Sequence, residues 1–187
     1  MAHSRRKRTS KAEWFEAALR VLGEEGIAGI RVERLARDLG TSRSGFYWHF
    51  EDRRDLELQL LDYWAHEYTD VVTGNPELRL VEPRKRLARV AELVLEHDLS
   101  RYDLAFIAWA ETDPEVGEQV TKVVQRRLDY VNQALTELGI TGDEAEFRRR
   151  IFILYFAWEG KIYPDLSAKK RRMLRDRIVE WTTAPTT

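Results

Sequence analysis

The chain has 187 residues, 31 Lys and Arg against 32 Asp and Glu, a net charge of −1, 43% hydrophobic side chains and no cysteine. That length supports one larger domain or two smaller ones with an adequate core. The missing cysteine excludes disulfide frameworks, thiol nucleophiles and thiolate metal sites, and the histidines at 3, 49, 66 and 97 stand at no ligand spacing, so neither a metal centre nor a cofactor is expected.

The longest apolar run, Ile151 to Trp158, falls short of the ~20 residues that a bilayer span needs. The basic start Arg5-Arg6-Lys7-Arg8 leads into Lys11 and not into an apolar signal core. A soluble, cytoplasmic protein without a membrane partner is therefore the expectation. Its charge is unevenly spread, at net +4 over residues 1–50 and net −5 over residues 51–187. The positive front is either a solvated terminus or an arm for a polyanion, since phosphate binding needs local basic charge whatever the average.

In chain order, apolar residues recur at helical spacing, and an all-α chain of about nine helices is predicted. Ser10, with Glu13 three residues later, predicts a capping box for a first helix reaching Glu25, with Phe15, Ala18, Leu19 and Leu22 inward and Gly26 as its stop. A second helix spans about Val32 to Leu39 and ends at Gly40. A third is capped by Ser42 and must be brief. A fourth opens at Asp52, with Asp55 in its first turn, and carries Leu56, Leu60, Trp64 and Val71 to the break Thr73-Gly-Asn-Pro76. From Gly74 to Glu82 the helical period lapses, which predicts a connection. Pro83 opens a fifth helix to about His97, Ser100 with Asp103 caps a sixth, and Asp113-Pro114-Glu115 opens a long seventh closed by Gly139. Thr141 with Glu144 caps an eighth, and Ser167 caps a ninth.

The eighth helix is apolar on every side from Ile151 to Trp158, so it has no face left for water. It is either buried at the centre of the monomer or covered by a second copy. With only one helix following it, a four-helix homodimer contact through about residues 143–182 is expected.

The stretch Val32 to Phe46 has the chemistry of a helix-turn-helix. Ala36 allows close helix contact, Gly40 tolerates the turn, and Leu35, Leu39 and Phe46 anchor the two helices. On a helical wheel from Ser42, Phe46 and Phe50 face inward, while Arg43, Ser44, Tyr47 and Trp48 face outward. Those outward groups can donate to phosphates, bond base edges and press on a thymine methyl.

The run Leu35-Ala36, Leu39-Gly40-Thr-Ser, Phe46-Tyr47-Trp48-His49-Phe50 and Glu51-Asp52-Arg53-Arg54-Asp55-Leu56 resembles the DNA-binding domain of the TetR (tetracycline-repressor-like) family of transcriptional regulators, over about residues 10–65. The resemblance implies a head over residues 1–52 with a basic N-terminal arm. It also implies a connecting helix with a helical effector-binding and dimerisation domain over residues 53–187, and a homodimer on a palindromic double-stranded operator. Residue by residue it puts Ser42 to His49 on the recognition helix, with Arg43, Ser44 and Gly45 at base-reading positions and Tyr47 and His49 at phosphate. Trp48 either joins that surface or packs partly on the head. Gly45 offers a base no side chain, so reading falls to Arg43 and Ser44. His49 is either a core residue or a phosphate contact. Arg53 stands where the family prefers Lys, at a helix start whose free N–H groups favour an anion.

For a small-molecule effector, aromatic and acidic residues in apolar surroundings are the candidates: Tyr102, Phe106, Trp109, Glu111, Tyr155 and Glu159, with Tyr130, Phe152 and Trp158 at the same helical spacing. The alternative is that the aromatics are core and that the two carboxylates pair with neighbouring cations or with solvent. No enzyme motif is present. The expected function is a ligand-responsive regulator, by default a repressor; a ligand-blind regulator of the same fold and a helical small-molecule-binding protein are the alternatives.

Overall fold

In the computed structural model, which describes residues 9–186, the described residues form eleven α-helical stretches and no strand. They are α1 (Lys11–Glu25), α2 (Val32–Asp38), α3 (Arg43–Tyr47), α4 (Arg53–Ala65), α5 (Val71–Thr73), α6 (Pro76–Arg79), α7 (Pro83–Glu96), α8 (Asp103–Ala110), α9 (Pro114–Glu137), α10 (Gly142–Ile162) and α11 (Ala168–Thr183). Setting aside the single turns α5 and α6, nine helices remain, in the predicted order. The all-α expectation therefore holds.

The chain divides into two compact units. One comprises residues up to 64 together with 104–119, and the other residues 65–103 together with 120 onward. The boundary expected at 52/53 falls inside the first unit, because α4 as far as Trp64 and a second chain segment, 104–119, belong with the head.

The core of the first unit is aromatic. Trp14 and Phe46, both fully buried, meet edge-on at 5.4 Å, and Phe46 continues to Phe50 at 5.1 Å. Phe15 stacks on Tyr63 at 4.7 Å, and Trp64 on Phe106 at 4.2 Å. The predicted box at α1 is present, with Ser10 Oγ accepting from Glu13 N and Glu13 accepting from Ser10 N. Arg54, at the start of α4, reaches Asp113 at 2.5 Å and Glu115 at 2.5 Å, tying the head to the turn before α9.

The second unit buries Leu87, Val131, Leu135, Ile140, Phe152 and Phe156 together. Phe152 and Phe156 of α10 thus face its interior, while Leu154, Trp158 and Ile162 of the same helix lie open to solvent. Of the two readings of this helix, burial within the monomer is met on one side only.

Local differences from the expectations have physical causes. α4 does not run on as a regular helix to Thr73; it widens into a π-helical segment, His66–Asp70, before α5. The 74–82 connection contains α6, because the Asn75 side chain accepts from Glu77 N and Pro76 occupies a first-turn position. Thr141 makes no side-chain cap, since Glu144 is drawn to Arg148. Asp103 makes no box with Ser100, because its carboxylate goes to Arg127 at 2.5 Å and its N–H to the Ser100 carbonyl.

Candidate functional site

The turn between α2 and α3 is built by Gly40, which adopts φ +61°. Its N–H bonds the Arg37 carbonyl at 3.0 Å and the Thr41 N–H bonds the Ala36 carbonyl at 2.9 Å, the paired closure of a helix end that needs a left-handed residue. The next helix begins at Ser42 with extended backbone, but the Ser42 hydroxyl lies 2.7 Å from that of Ser44 and caps no backbone N–H. Gly45 is required by space: a Cβ there would stand 2.9 Å from Thr41 Oγ1. Its place at a base-reading position thus comes with a packing role that the sequence reading did not assign.

With Phe46 driven inward against Trp14, the opposite side of α3 is open. Ser42, Arg43 and Ser44 are exposed, Tyr47 is 52% exposed and Trp48 is 69% exposed. Most of the Trp48 surface is therefore open to solvent. Arg43 Nη1 lies 3.2 Å from Glu33 of α2, and its guanidinium is held charged by the Tyr47 hydroxyl first and by Glu33 second. This arrangement gives a cation steered by two neighbours beside a phenol and an indole, all facing outward from one short helix.

Two of the predicted residues are already engaged. His49 is half-buried, and its Nε2 donates to the Thr9 carbonyl at 2.9 Å, so one ring nitrogen anchors the chain just before α1. Arg53 donates from Nε to Glu57 at 2.6 Å and from Nη2 to the Ile27 carbonyl at 3.1 Å, while its side chain remains 45% exposed. The expected arm at Arg5 to Arg8 lies outside the described residues. Lys11 sits 5.4 Å from the Phe50 ring centroid, at the edge of the same unit.

A second feature is a cavity of about 60 Å³ within the second unit, lined by Tyr68, Thr69, Val72, Val90, Tyr130 and Phe152 among others. Arg127 braces its polar side, donating to Asp103, to Thr69 Oγ1 at 2.8 Å and to the Tyr68 carbonyl at 3.3 Å.

Of the residues put forward for an effector, Tyr130 and Phe152 line this cavity, while Tyr102, Phe106, Trp109, Glu111, Tyr155 and Glu159 do not. Phe106 is consumed by its stack on Trp64 in the first unit, and Trp109 borders a shallow groove there with Leu22 and Ile27. Tyr102 is buried edge-on to Tyr68 at 5.5 Å. Glu111 is exposed. Glu159 is 4% exposed and takes Arg171 of α11 as its partner, so its desolvation is offset within the protein. Tyr155 is half-buried on α10, its phenol pushed up by burial and by the nearby Glu159 charge. The residues that do line the cavity come from α5, α7, α9, α10, the π-helical segment and the connection from α7 into the start of α8, and no single window of sequence holds them. Tyr130 and Phe152 were legible as aromatic residues at helical spacing on two of those helices.

No group of His, Asp and Glu among the described residues could hold a metal ion, and no helix among them is long and apolar enough to cross a membrane.

The family model for bacterial regulatory proteins of the tetR family matches residues 15–60, the stretch from α1 into α4. Among curated proteins, the chain is 27% identical to the HTH-type transcriptional regulator CymR of Pseudomonas putida, over 73% of this chain and 70% of that protein. It is 32% identical to the HTH-type transcriptional repressor AcnR of Corynebacterium glutamicum, over 59% of this chain and 50% of that one. Among solved structures, a transcriptional regulator from Rhodococcus sp. Rha1 shares the fold at a TM-score of 0.73 and 21% identity, over 93% of this chain and 96% of that one. The regulator FadR of Bacillus subtilis, solved in complex with stearoyl-CoA, does so at 0.70 and 15%, over 95% of this chain and 100% of that one. A helix-turn-helix with an open outer face, a family match on the residues that build it and a shared whole-chain fold lead to one assignment: residues 15–60 are a DNA-binding domain of the tetR family of bacterial regulatory proteins.

Proposed function

We propose that the protein is a ligand-responsive repressor that binds a palindromic operator as a homodimer in the cytoplasm. The observation that carries the DNA half of this reading is the outward face of α3, where Arg43, Ser44, Tyr47 and Trp48 are exposed beside a helix packed inward through Phe46. Arg43 and Ser44 read base edges, and Tyr47 with Trp48 contacts the backbone or a thymine methyl. His49 contributes indirectly by fixing the start of α1 through Thr9. The free edge of Arg53 meets a phosphate near the start of α4.

The dimer half rests on the face of α10 and α11 that a single chain leaves uncovered: Phe147, Leu154, Trp158, Ile162, Met173 and Trp181, each at least 40% exposed. These side chains fall within residues 143–182, and so many large apolar groups on adjacent helices are what a second copy covers. Two recognition helices then need a separation of about 34–36 Å to enter successive major grooves, and an effector that favours another spacing releases the operator.

One observation favours a second reading, a regulator without an effector. The cavity volume of about 60 Å³ lies well below the ~300–1,000 Å³ of pockets for drug-sized ligands.

Selection of the operator from random DNA, followed by anisotropy titration at two salt concentrations, tests the DNA half. Expected are sequence-selective binding that weakens steeply with salt and a loss of about 10- to 100-fold for Arg43→Ala. Unchanged affinity in both Arg43→Ala and Tyr47→Ala sinks the assignment of the recognition face.

A further inference from the structure

Apolar side chains such as Val90, Phe152 and Phe156 form most of the cavity wall in the second unit, and two phenols, Tyr68 and Tyr130, join them beside the hydroxyls of Thr69 and Ser100 and the Arg127–Asp103 pair. Tyr130 is 8% exposed, and its hydroxyl is buried with no hydrogen-bonding partner among the described residues. Arg127 on the cavity wall is engaged by Asp103, while Arg86, which does not line the cavity, pairs in charge with Glu137 at 2.8 Å but leaves its Nη2 without a hydrogen-bond geometry. A buried donor left unmatched forfeits the hydrogen bond that it made in water, and a molecule that reaches it through the cavity restores that bond. Burial pushes the Tyr130 phenol above its ordinary range, against the smaller opposing influence of Arg86 and Arg79, so the hydroxyl keeps its proton at neutral pH and acts as a donor.

Among the described residues that line the cavity, the Tyr130 hydroxyl is the one buried polar group without a partner, and the complement of one unmatched donor is one acceptor on an apolar body. We propose that this cavity binds a compact apolar molecule carrying a single hydrogen-bond acceptor, a carbonyl or carboxylate oxygen, which accepts from the Tyr130 hydroxyl. The inference rests on the effector reading above and gives that effector its chemistry.

The volume bounds the occupant as well. At about 60 Å³ the cavity does not admit a drug-sized ligand unchanged, so the wall must yield. The wall segment built differently from the rest is the π-helical stretch His66–Asp70, which contributes Tyr68 and Thr69 and is braced from outside its own helix by Arg127. π-helical turns lack regular i to i−4 bonding and are frequent at functional sites. An entering molecule that needs more room presses on this turn, and the Arg127 bonds to Tyr68 and Thr69 are the ones it strains.

Three probes of nearly one size test the proposal on the full chain: ethylbenzene with no acceptor, acetophenone with a carbonyl in the same place, and benzoate with a carboxylate. Their affinities are measured by calorimetry for the wild type and for Tyr130→Phe. Comparing the two proteins cancels the probes' own hydration. Acetophenone or benzoate should lose about fivefold in affinity on Tyr130→Phe, while ethylbenzene keeps its affinity; which of the two loses more identifies the oxygen. Tyr130→Phe removes a hydroxyl with no protein partner and folds at least as stably as the wild type. A second variant, Val90→Ile, fills part of the cavity and should weaken all three probes together. Failure of all probes to bind, equal losses for all three on Tyr130→Phe, or no effect of Val90→Ile overturns the proposal. Operator titrations with the same probes separate it from the reading on which it rests. Release of the operator that is identical in wild type and Tyr130→Phe overturns the acceptor chemistry and leaves the effector reading standing. Tyr130-dependent binding without any change in operator affinity supports the acceptor chemistry and removes the effector reading.

Discussion

In the first unit the interior is filled by rings: Trp14 against Phe46, Phe46 against Phe50, and Trp64 stacked on Phe106. Its main long-range ion cluster, Arg54 with Asp113 and Glu115, sits at the surface, with the Arg54 side chain 40% exposed. The second unit is built the other way. It encloses a cavity, and the ion pair beside that cavity, Arg127 with Asp103, is desolvated at 16% and 5% exposure. A filled core has one good packing, and so it holds the outward face of α3 at fixed geometry. A unit with spare volume next to buried charge has room to repack and a strong local interaction to rearrange, which a response to a ligand requires.

The largest test of this contrast is Arg127→Met. It strands the Asp103 carboxylate in the interior and leaves Thr69 Oγ1 and the Tyr68 carbonyl without their donor, at a cost of about 3–5 kcal/mol. Chemical denaturation should therefore show a large drop in midpoint. Adding Asp103→Leu should recover most of it, because the charge and its partner are then removed together. If Arg127→Met costs no more than a surface pair does, the second unit is not built around that pair.

A smaller effect compares volume. Ala18 of α1 is fully buried in the ring-filled core, and Ala18→Val should cost about 1–3 kcal/mol through overpacking. Val90 faces the cavity, and Val90→Ile adds one methylene to vacant space, so it should be neutral or stabilising by up to about 0.8 kcal/mol. Equal destabilisation by the two, read from urea midpoints of the full chain, would mean that the two interiors are packed alike.

The same contrast explains what was legible in the sequence. The head is written in short-range signals. Ser10 with Glu13 caps α1, Gly40 closes the turn, and Phe46 and Phe50 are four residues apart on one face, so motif and fold coincide. Even there, contacts between distant segments were hidden. Nothing near His49 announces its bond to Thr9, and nothing near Gly45 announces the Thr41 hydroxyl that excludes a Cβ. In the second unit the informative contacts are nearly all between distant segments. Asp103 reads as part of a cap from its neighbours, yet it belongs to Arg127, 24 positions away. Phe106 and Trp109 read as pocket residues from their aromaticity, yet the segment that carries them, 104–119, belongs with the head. The cavity is defined by which helices happen to leave space, a property of packing that no periodicity encodes.

The smallest effect concerns how that segment is held. Arg54 keeps the Asp113 carboxyl below its ordinary range, chiefly by direct hydrogen bonding, and Asp113 also accepts from Val116 N at the start of α9. A carboxyl whose pKa is depressed by folding adds stability that is fully present above its unfolded value, 3.8, and that is lost as the pH falls through the lower folded value. Arg54→Met should therefore cost up to about 1 kcal/mol at pH 7, the modest figure fitting a pair so open to solvent. The cost should shrink below about pH 4, as Asp113 takes up its proton in both proteins. Salt should erode the difference, because water reaches the Arg54 pair, and should leave the Arg127→Met difference largely intact. A deficit in Arg54→Met that persisted unchanged at pH 3 and in high salt would point to lost packing of the arginine stem against α4, and the contrast between a solvated and a desolvated ion pair would no longer distinguish the two units.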